Sequence, residues 1–515
     1  MGDGDELKCN YLCIGAGTST MSFVDTMLSS TDKSITFIIV DKKPAAGGHW
    51  NVAYPFVTLH QPSGAYGVPS EPLGKVKNGR EVLDPDDLAT GAEVLAYYER
   101  VMAKFVATGR VRFFPTATYD WESATFVDAG GRRRAVAYDK LVTPESGVVV
   151  PSMRPPPFPV EAGNATVKPV NALPTTEADH YVVIGAGKTG IDAMLHLLGR
   201  GVDQRHVTWI VPQDMWIMLR DKFFEGGTLL PYVLALLNAL LRHDSVLGAF
   251  KELEASGYVG RLDQAIEPQL CRGATVSTAE LRMLHTVQNV VRLGRVTAVR
   301  ADFLELEKGT LPLAPGTLLV DCASEGVGGY RADFDVFAPA HIKLGTVLST
   351  FNISHSVALI GHVEATYADD ATKNGFMPHS AAAPLGIAKG GSPFFKGELG
   401  QFVQSLHADF KTVRLLGAHK RSAAFHLATR TNYLASCHCS LLKTLWVLYG
   451  PDQLDKKIDR LMRKIEQGGF AESPPMPEHA PPPSGRKNYG LGALAPLLLP
   501  LLALVGFATS SILSS

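Results

Sequence analysis

Two sets of glycines and one aspartate set the chemistry that this chain can support. Gly15 and Gly17 follow the apolar run Leu7 to Ile14, and Gly185, Gly187 and Gly190 follow the apolar run Tyr181 to Ile184. Glycines at a strand-to-helix turn let a ligand approach the backbone closely. The helix start behind them offers free N–H groups and the positive end of a dipole, which suits a pyrophosphate. Asp41 closes the apolar run Ile35 to Val40, at the spacing from the first turn where a carboxylate accepts both hydroxyls of an adenosine ribose. The later set is a complete GxGxxG. In the earlier one Thr20 stands in the slot of the last glycine, which is expected to loosen helix-to-strand packing slightly. The Gly187-Lys188-Thr189 string also invites a phosphate-cleaving loop, but that loop needs a glycine where Val182 stands. After Val211 come Pro212 and Gln213 with no acid to chelate a ribose, so a 2′-phosphate has room; Arg220 and Lys222 are the nearest later cations.

Each glycine set needs a strand before it and a helix after it, and the pattern supplies both. Leu7 to Ile14 reads as a strand, Thr18 to Leu28 as a helix and Ile35 to Val40 as a second strand; Tyr181 to Val211 repeats that unit. The fold class expected is therefore α/β with two Rossmann-like dinucleotide-binding domains. Asp86 to Ala107 is an amphipathic helical run, Val111 to Phe114 a short strand, and Thr118 to Thr143 alternates as a meander turning at Asp128 to Gly131. Thr317 to Ala323 and Val357 to Gly361 read as buried strands that complete the two sheets. With 515 residues, 46% hydrophobic and 19% charged, the chain can build about three domains. A net charge of -1 offers no field for nucleic acid. Cys9 and Cys13 are an even number of positions apart, so both are expected on one face of the first strand, buried and not a redox pair. His362, Glu364, Asp369 and Asp370, like Cys437-His438-Cys439, lack metal-ligand spacing, so no metal site is expected.

Directly after Asp41 comes Gly47-Gly48-His49-Trp50, opening an aromatic loop that runs to Ser70. This segment, with the paired fingerprints, resembles the flavin-containing monooxygenases and their Baeyer-Villiger relatives, a branch of the two-dinucleotide flavoprotein oxidoreductases. The resemblance implies FAD at Gly15, Gly17, Asp41, Gly48, Trp50 and Ser63, and a nicotinamide nucleotide at Gly185, Gly187, Lys188, Thr189 and Gly190, with Arg220 near its phosphate. NADPH is expected there, with NADH not excluded. His60 and Gln61 are the expected catalytic residues, next to the flavin. The activity implied is NADPH-driven oxygenation of a small apolar substrate. Two alternatives stay open: a flavin-dependent NAD(P)H reductase of a quinone or another acceptor, and a non-catalytic membrane-tethered nucleotide-binding protein.

The expected organisation is an FAD-binding domain over 7–175, completed by about 330–400, an NAD(P)-binding domain over 176–330, and a helical region over 401–470. Within the second of these, Thr228 to Leu241 reads as a buried helix. A proline-rich linker, 471–489, follows the helical region. From Asn488 to Ser515 no side chain is charged, which is enough for a transmembrane tail anchor over 490–513, with Arg486-Lys487 keeping the enzyme on the cytosolic side. Six cysteines and no apolar segment near Met1 point to a reducing compartment. The partners expected are a small-molecule substrate and the membrane.

Overall fold

The computed structural model describes residues 7–77, 80–144, 150–227, 229–268, 270–323, 335–347, 353–377, 409, 412–416, 418–431 and 452–467. Two sheets organise them. The first contains β1 (Leu7–Ile14), β2 (Phe37–Val40), β3 (Val111–Phe114), β4 (Thr118–Asp120), β5 (Thr125–Val127) and β6 (Arg133–Pro144). The second contains β7 (Ala165–Pro169), β8 (His180–Ile184), β9 (Val207–Ile210), β10 (Val290–Val291) and β11 (Thr317–Asp321), all parallel. The chain then returns to the first sheet through β12 (Phe337–Ala338) and β13 (His341–Leu344). The strand order is β12-β13-β6-β1-β2-β3 in the first sheet and β10-β9-β8-β11-β7 in the second. In both, the strand carrying the glycine turn sits in the interior, where the chain reverses its direction of winding and a crevice opens at the strand ends.

The helices that matter for the site are α1 (Thr18–Ser30), α2 (Gly91–Ala107), α3 (Lys188–Gly199), α4 (Leu230–Arg242), α5 (Val246–Ala255), α6 (Thr278–Leu284), α7 (Ile353–Thr366), α8 (Asp370–Gly375), α9 (Lys420–Ala428) and α10 (Asp452–Glu466). Helix α1 is buried on nearly every face, because the sheet covers one side and α7 the other. The two helices touch at Gly361, where an added Cβ would lie 3.1 Å from the carbonyl oxygen of Phe23. A side chain there would be tight, and the helices would have to part by a few tenths of an ångström to admit it. Beside it a buried ionic cluster ties the layers: Glu364 on α7 takes Lys373 at 2.7 Å and Lys140 at 3.0 Å, and accepts from the Tyr11 hydroxyl at 2.9 Å.

Three sequence expectations change here. Val357 to Gly361, expected as a strand, lies inside α7; the run is buried all round, and a short buried apolar run carries no periodicity to separate strand from helix. Cys9 and Cys13 face opposite cores, Cys9 with Leu7, Leu12 and Ile38, Cys13 with Phe23 and Ile39. The cause is a bulge: the N–H groups of Asn10 and Tyr11 both donate to the Thr36 carbonyl at 3.1 Å, so one residue is added and the side-chain alternation inverts. The third concerns the membrane. Among the described residues no helix is long and apolar enough to cross a bilayer. The apolar helix α4 runs for 13 residues, about 20 Å of rise against a hydrocarbon core of about 30 Å. The expected tail anchor at 490–513, its linker at 471–489 and Cys437 to Cys439 lie outside the described residues. The expected fold class is corrected accordingly, to a mixed α/β fold with no membrane-crossing helix among the described residues, and the expectation of tail-anchored membrane localisation is withdrawn with it.

Candidate functional site

The first turn is built by β1 and α1. Gly15 has φ of +93°, a left-handed value that favours glycine, and Gly17 caps α1 with no side-chain hydrogen bond to its first turn. The second turn repeats this: Gly185 has φ of +112° and Gly187 caps α3, again with no side-chain cap. By contrast, α2, α5 and α6 are capped by the side chains of Thr90, Ser245 and Ser277, while α4 and α9, like the two glycine-capped helices, have no side-chain cap. The two glycine-capped helices therefore leave their leading N–H groups available to an anion. At Gly190 an added Cβ would fall 1.9 Å from the Gly185 carbonyl oxygen, so this helix lies directly on its turn. The Trp209 indole N–H donates to that same oxygen at 2.8 Å.

Asp41, 6% exposed, lies against the first turn: one oxygen accepts from the Ala16 N–H at 2.5 Å and the other from the Lys43 N–H at 2.7 Å. Each carboxylate oxygen can accept a further bond, so two donors can still be taken. Gly48 packs on Gly17 so closely that a Cβ on it would lie 2.9 Å from the Gly17 Cα. Trp50 follows, buried, with its indole N–H donating to the Tyr66 hydroxyl at 2.8 Å. The Tyr66 hydroxyl also meets Thr18 Oγ1, which accepts from the Tyr98 hydroxyl at 2.9 Å. An aromatic wall is thus hydrogen-bonded to the first residue of α1. Ser63 is buried, but its hydroxyl is spent on the loop, donating to the Asp87 carbonyl and accepting from the Ala89 N–H, both at 2.7 Å.

Where Asp41 stands in the first unit, Val211 stands in the second, after strands paired in the same register. A small cavity lined by Ala186, Trp209, Val211, Gln213 and Asp214 opens there. Arg292, just past β10, borders this edge: its Nε donates to Asp214 at 2.9 Å, and it lies 3.4 Å from Asp263. The sequence reading missed this cation. The parallel pairing of β10 with β9 brings it from far along the chain, and no local pattern announces it. Arg220, the cation expected for this role, is instead 3% exposed and donates to the carbonyls of Pro85 at 2.7 Å and His60 at 3.4 Å and to Glu280 at 3.0 Å.

The two units meet at a seam. Tyr54, from the aromatic loop, donates to Asp192 of α3 at 2.6 Å, and Asp192 also pairs with Lys188. The i,i+4 spacing of Lys188 and Asp192 could have suggested that pair; the Tyr54 bond could not be read. Thr189 is half-buried beside them. His60 is half-buried near Lys188 and Arg220; its Nδ1 is shielded from solvent with no partner among the described residues, and desolvation pushes its pKa down to about 3. The imidazole is therefore neutral at physiological pH, able to give or take a hydrogen bond but holding no proton to transfer as an imidazolium. Gln61 follows it, half-buried.

One mixed and one parallel sheet, each with a glycine turn at the end of an interior strand that is paired in parallel on both sides, make a doubled version of the fold that dinucleotide-binding domains use. No family model matches the chain. Uncharacterized protein Rv2000 of Mycobacterium tuberculosis is 36% identical over 385 residues, covering 72% of this chain and 70% of the relative. Uncharacterized protein Mb2023 of Mycobacterium bovis gives the same figures, 36% over 385 residues. The chain belongs to the family of these mycobacterial proteins. Among solved structures it is similar to a polycyclic ketone monooxygenase from Thermothelomyces thermophila, with a TM-score of 0.48 and 13% identity over 88% of this chain and 90% of that one. It is also similar to a steroid monooxygenase bound to NADP, with a TM-score of 0.42 and 14% identity over 70% and 86% of the two chains. A flavin-containing monooxygenase from Stenotrophomonas maltophilia gives 0.38 and 16% over 66% and 86%.

Proposed function

We propose that this chain is an FAD-dependent, NADPH-oxidising oxidoreductase of the monooxygenase type, acting on a small apolar substrate. The observation that carries the reading is the asymmetry between two otherwise matching turns. The first has a buried carboxylate, Asp41, with acceptor capacity to spare; the second has Val211 in that place and Arg292 beside it. A carboxylate suits the unmodified ribose of FAD, and a guanidinium suits the 2′-phosphate of NADPH. Two unlike dinucleotides meeting at one seam are what an electron transfer between them requires.

When bound, FAD and NADPH supply hydride transfer and the reduction of dioxygen. The chain does the rest. The N–H groups at the starts of α1 and α3 would hold the pyrophosphates, Asp41 the flavin-side ribose and Arg292 the 2′-phosphate. Trp50, Tyr66 and Tyr98 form a wall that keeps water from the first site, and Tyr54 with Asp192 locks the seam. Neutral His60 offers a hydrogen-bonding nitrogen to a group entering beside Lys188.

The test is the absorbance spectrum of the purified protein before and after NADPH without air. A flavin spectrum that bleaches, and labelled oxygen recovered in an oxidised product when air returns, is the expected result. Bleaching without label would mean a reductase, and a colourless chain that still binds nucleotide would mean no catalysis at all.

A further inference from the structure

The loop 63–71 walls the first nucleotide site, yet apart from one short turn at Ser63–Ala65 it has no regular structure to hold it. Its backbone carbonyls must find donors elsewhere. Three of them find one side chain. Arg430 donates through Nη1 to the carbonyl of Val68 at 2.7 Å, and through Nη2 to those of Tyr66 at 3.0 Å and Gly64 at 3.2 Å. A planar guanidinium with its donors in a fixed fork can bridge three carbonyls in one geometry; an ammonium on a flexible stem cannot hold all three so rigidly.

Arg430 is itself fixed from the other side. It follows α9, which docks on α7 by His426 Nδ1 against His355 Nε2 at 3.1 Å and by Phe425 stacked on His362 at 4.3 Å between ring centres. Helix α7 packs in turn on α1, where the Ser22 hydroxyl donates to the Ser354 carbonyl at 2.8 Å. The arm therefore rests, through α7, on the helix whose N-terminus faces the first site, and reaches back over the loop that walls it. The carbonyl of Tyr66 is one of those held, and the Tyr66 hydroxyl bonds Thr18 at the start of α1.

We propose that Arg430 is a positioning residue for the first nucleotide site, clamping the loop that carries Tyr66 so that the wall beside Thr18 stays closed over the bound dinucleotide. The proposal rests on the reading of that site as the flavin site. It assigns a role to the C-terminal helical arm, the part of the chain in which the sequence pointed to no chemistry.

The full chain is loaded with FAD and diluted, and flavin release is followed by the return of free-flavin fluorescence. Arg430→Ala is expected to release flavin roughly tenfold faster or more, since charge-assisted bonds to a site wall are lost, and Arg430→Lys to recover only part of this. Energy transfer from tryptophan to NADPH, which reads the second site, should stay unchanged in both, and a merely destabilised protein would lose both ligands together. If Arg430→Ala does not fold, Arg430→Lys carries the test of the clamp, and Tyr66→Phe, which removes the hydroxyl joining the clamped loop to Thr18, should also speed release. Release at the wild-type rate in the variants that fold overturns the proposal. If the wild-type chain takes up no FAD, the functional reading fails. Amide exchange across 63–70 then still decides whether Arg430 holds the wall, faster exchange in Arg430→Ala supporting the clamp and unchanged exchange refuting it.

Discussion

Gly187→Val separates the binding role of a glycine from its folding role. Around Gly187 an added Cβ meets nothing within 4 Å, and its φ of -72° with ψ of -177° is extended backbone that valine adopts readily. The fold should therefore lose only the better N-cap, about 1 kcal/mol or less. The pyrophosphate would notice, because the new side chain fills the space from which it reaches the N–H groups of α3. Losing two charge-assisted hydrogen bonds at about 1.5–3 kcal/mol each weakens NADPH by a factor of about 10² to 10⁴. Gly190→Ala should behave in the opposite way. Its Cβ would stand 1.9 Å from the Gly185 carbonyl oxygen and 2.8 Å from the carbonyl carbon, both backbone atoms, so α3 must move off the turn and strain the Trp209 bond. Overpacking of this kind costs about 1–3 kcal/mol and lowers Tm as well as affinity. Thermal melting of each variant, with NADPH binding read by energy transfer from tryptophan, measures both effects. A Gly187→Val protein that melts as early as Gly190→Ala, or that binds NADPH within about twofold of wild type, would refute the reasoning.

Asp41→Ala should strip flavin from the purified protein, since two ribose hydroxyls lose their acceptor; an unchanged flavin-to-protein ratio would count against the first site. Arg292→Ala should raise KM for NADPH about tenfold or more while leaving NADH nearly untouched, and an equal effect on both coenzymes would remove Arg292 from the 2′-phosphate. Acid should loosen the C-terminal arm. Burial, with the neighbouring imidazole, holds the His355 pKa well below its usual value, and burial brings His426 to about 4. The neutral forms are thus favoured by folding. The stability they contribute is present above about 6.5 and is lost as pH falls through about 4. His426→Phe should flatten that part of the acid transition in a thermal melt, and an unaltered pH profile would show that the pair does not govern it.

What the sequence could disclose was whatever lies within one strand, turn and helix. The placement of Gly15, Gly17 and Asp41, and of Gly185 to Gly190, depends on neighbours in the chain, so spacing sufficed to find both turns. Parity along β1 failed because a bulge at Asn10 is written by the partner strand's Thr36, not by the residues between the cysteines. Helix α7 failed for a related reason: buried on all sides, its residues carry no exposed stripe from which to count 3.6. The residues proposed to choose between ligands and to hold them were hidden most deeply. Arg292 reaches the second turn only through β10 pairing with β9, Tyr54 reaches Asp192 only because the units meet, and Arg430 reaches the Tyr66 loop only because α9 docks on α7. Binding a dinucleotide needs backbone N–H groups at one helix start, which a short stretch encodes. Telling one dinucleotide from another, and keeping it, needs side chains arriving from several directions at once, and those directions are set by the sheets. A search for selectivity in this family should therefore follow the strand neighbours of the two turns and the arm behind α7, and not the fingerprints themselves.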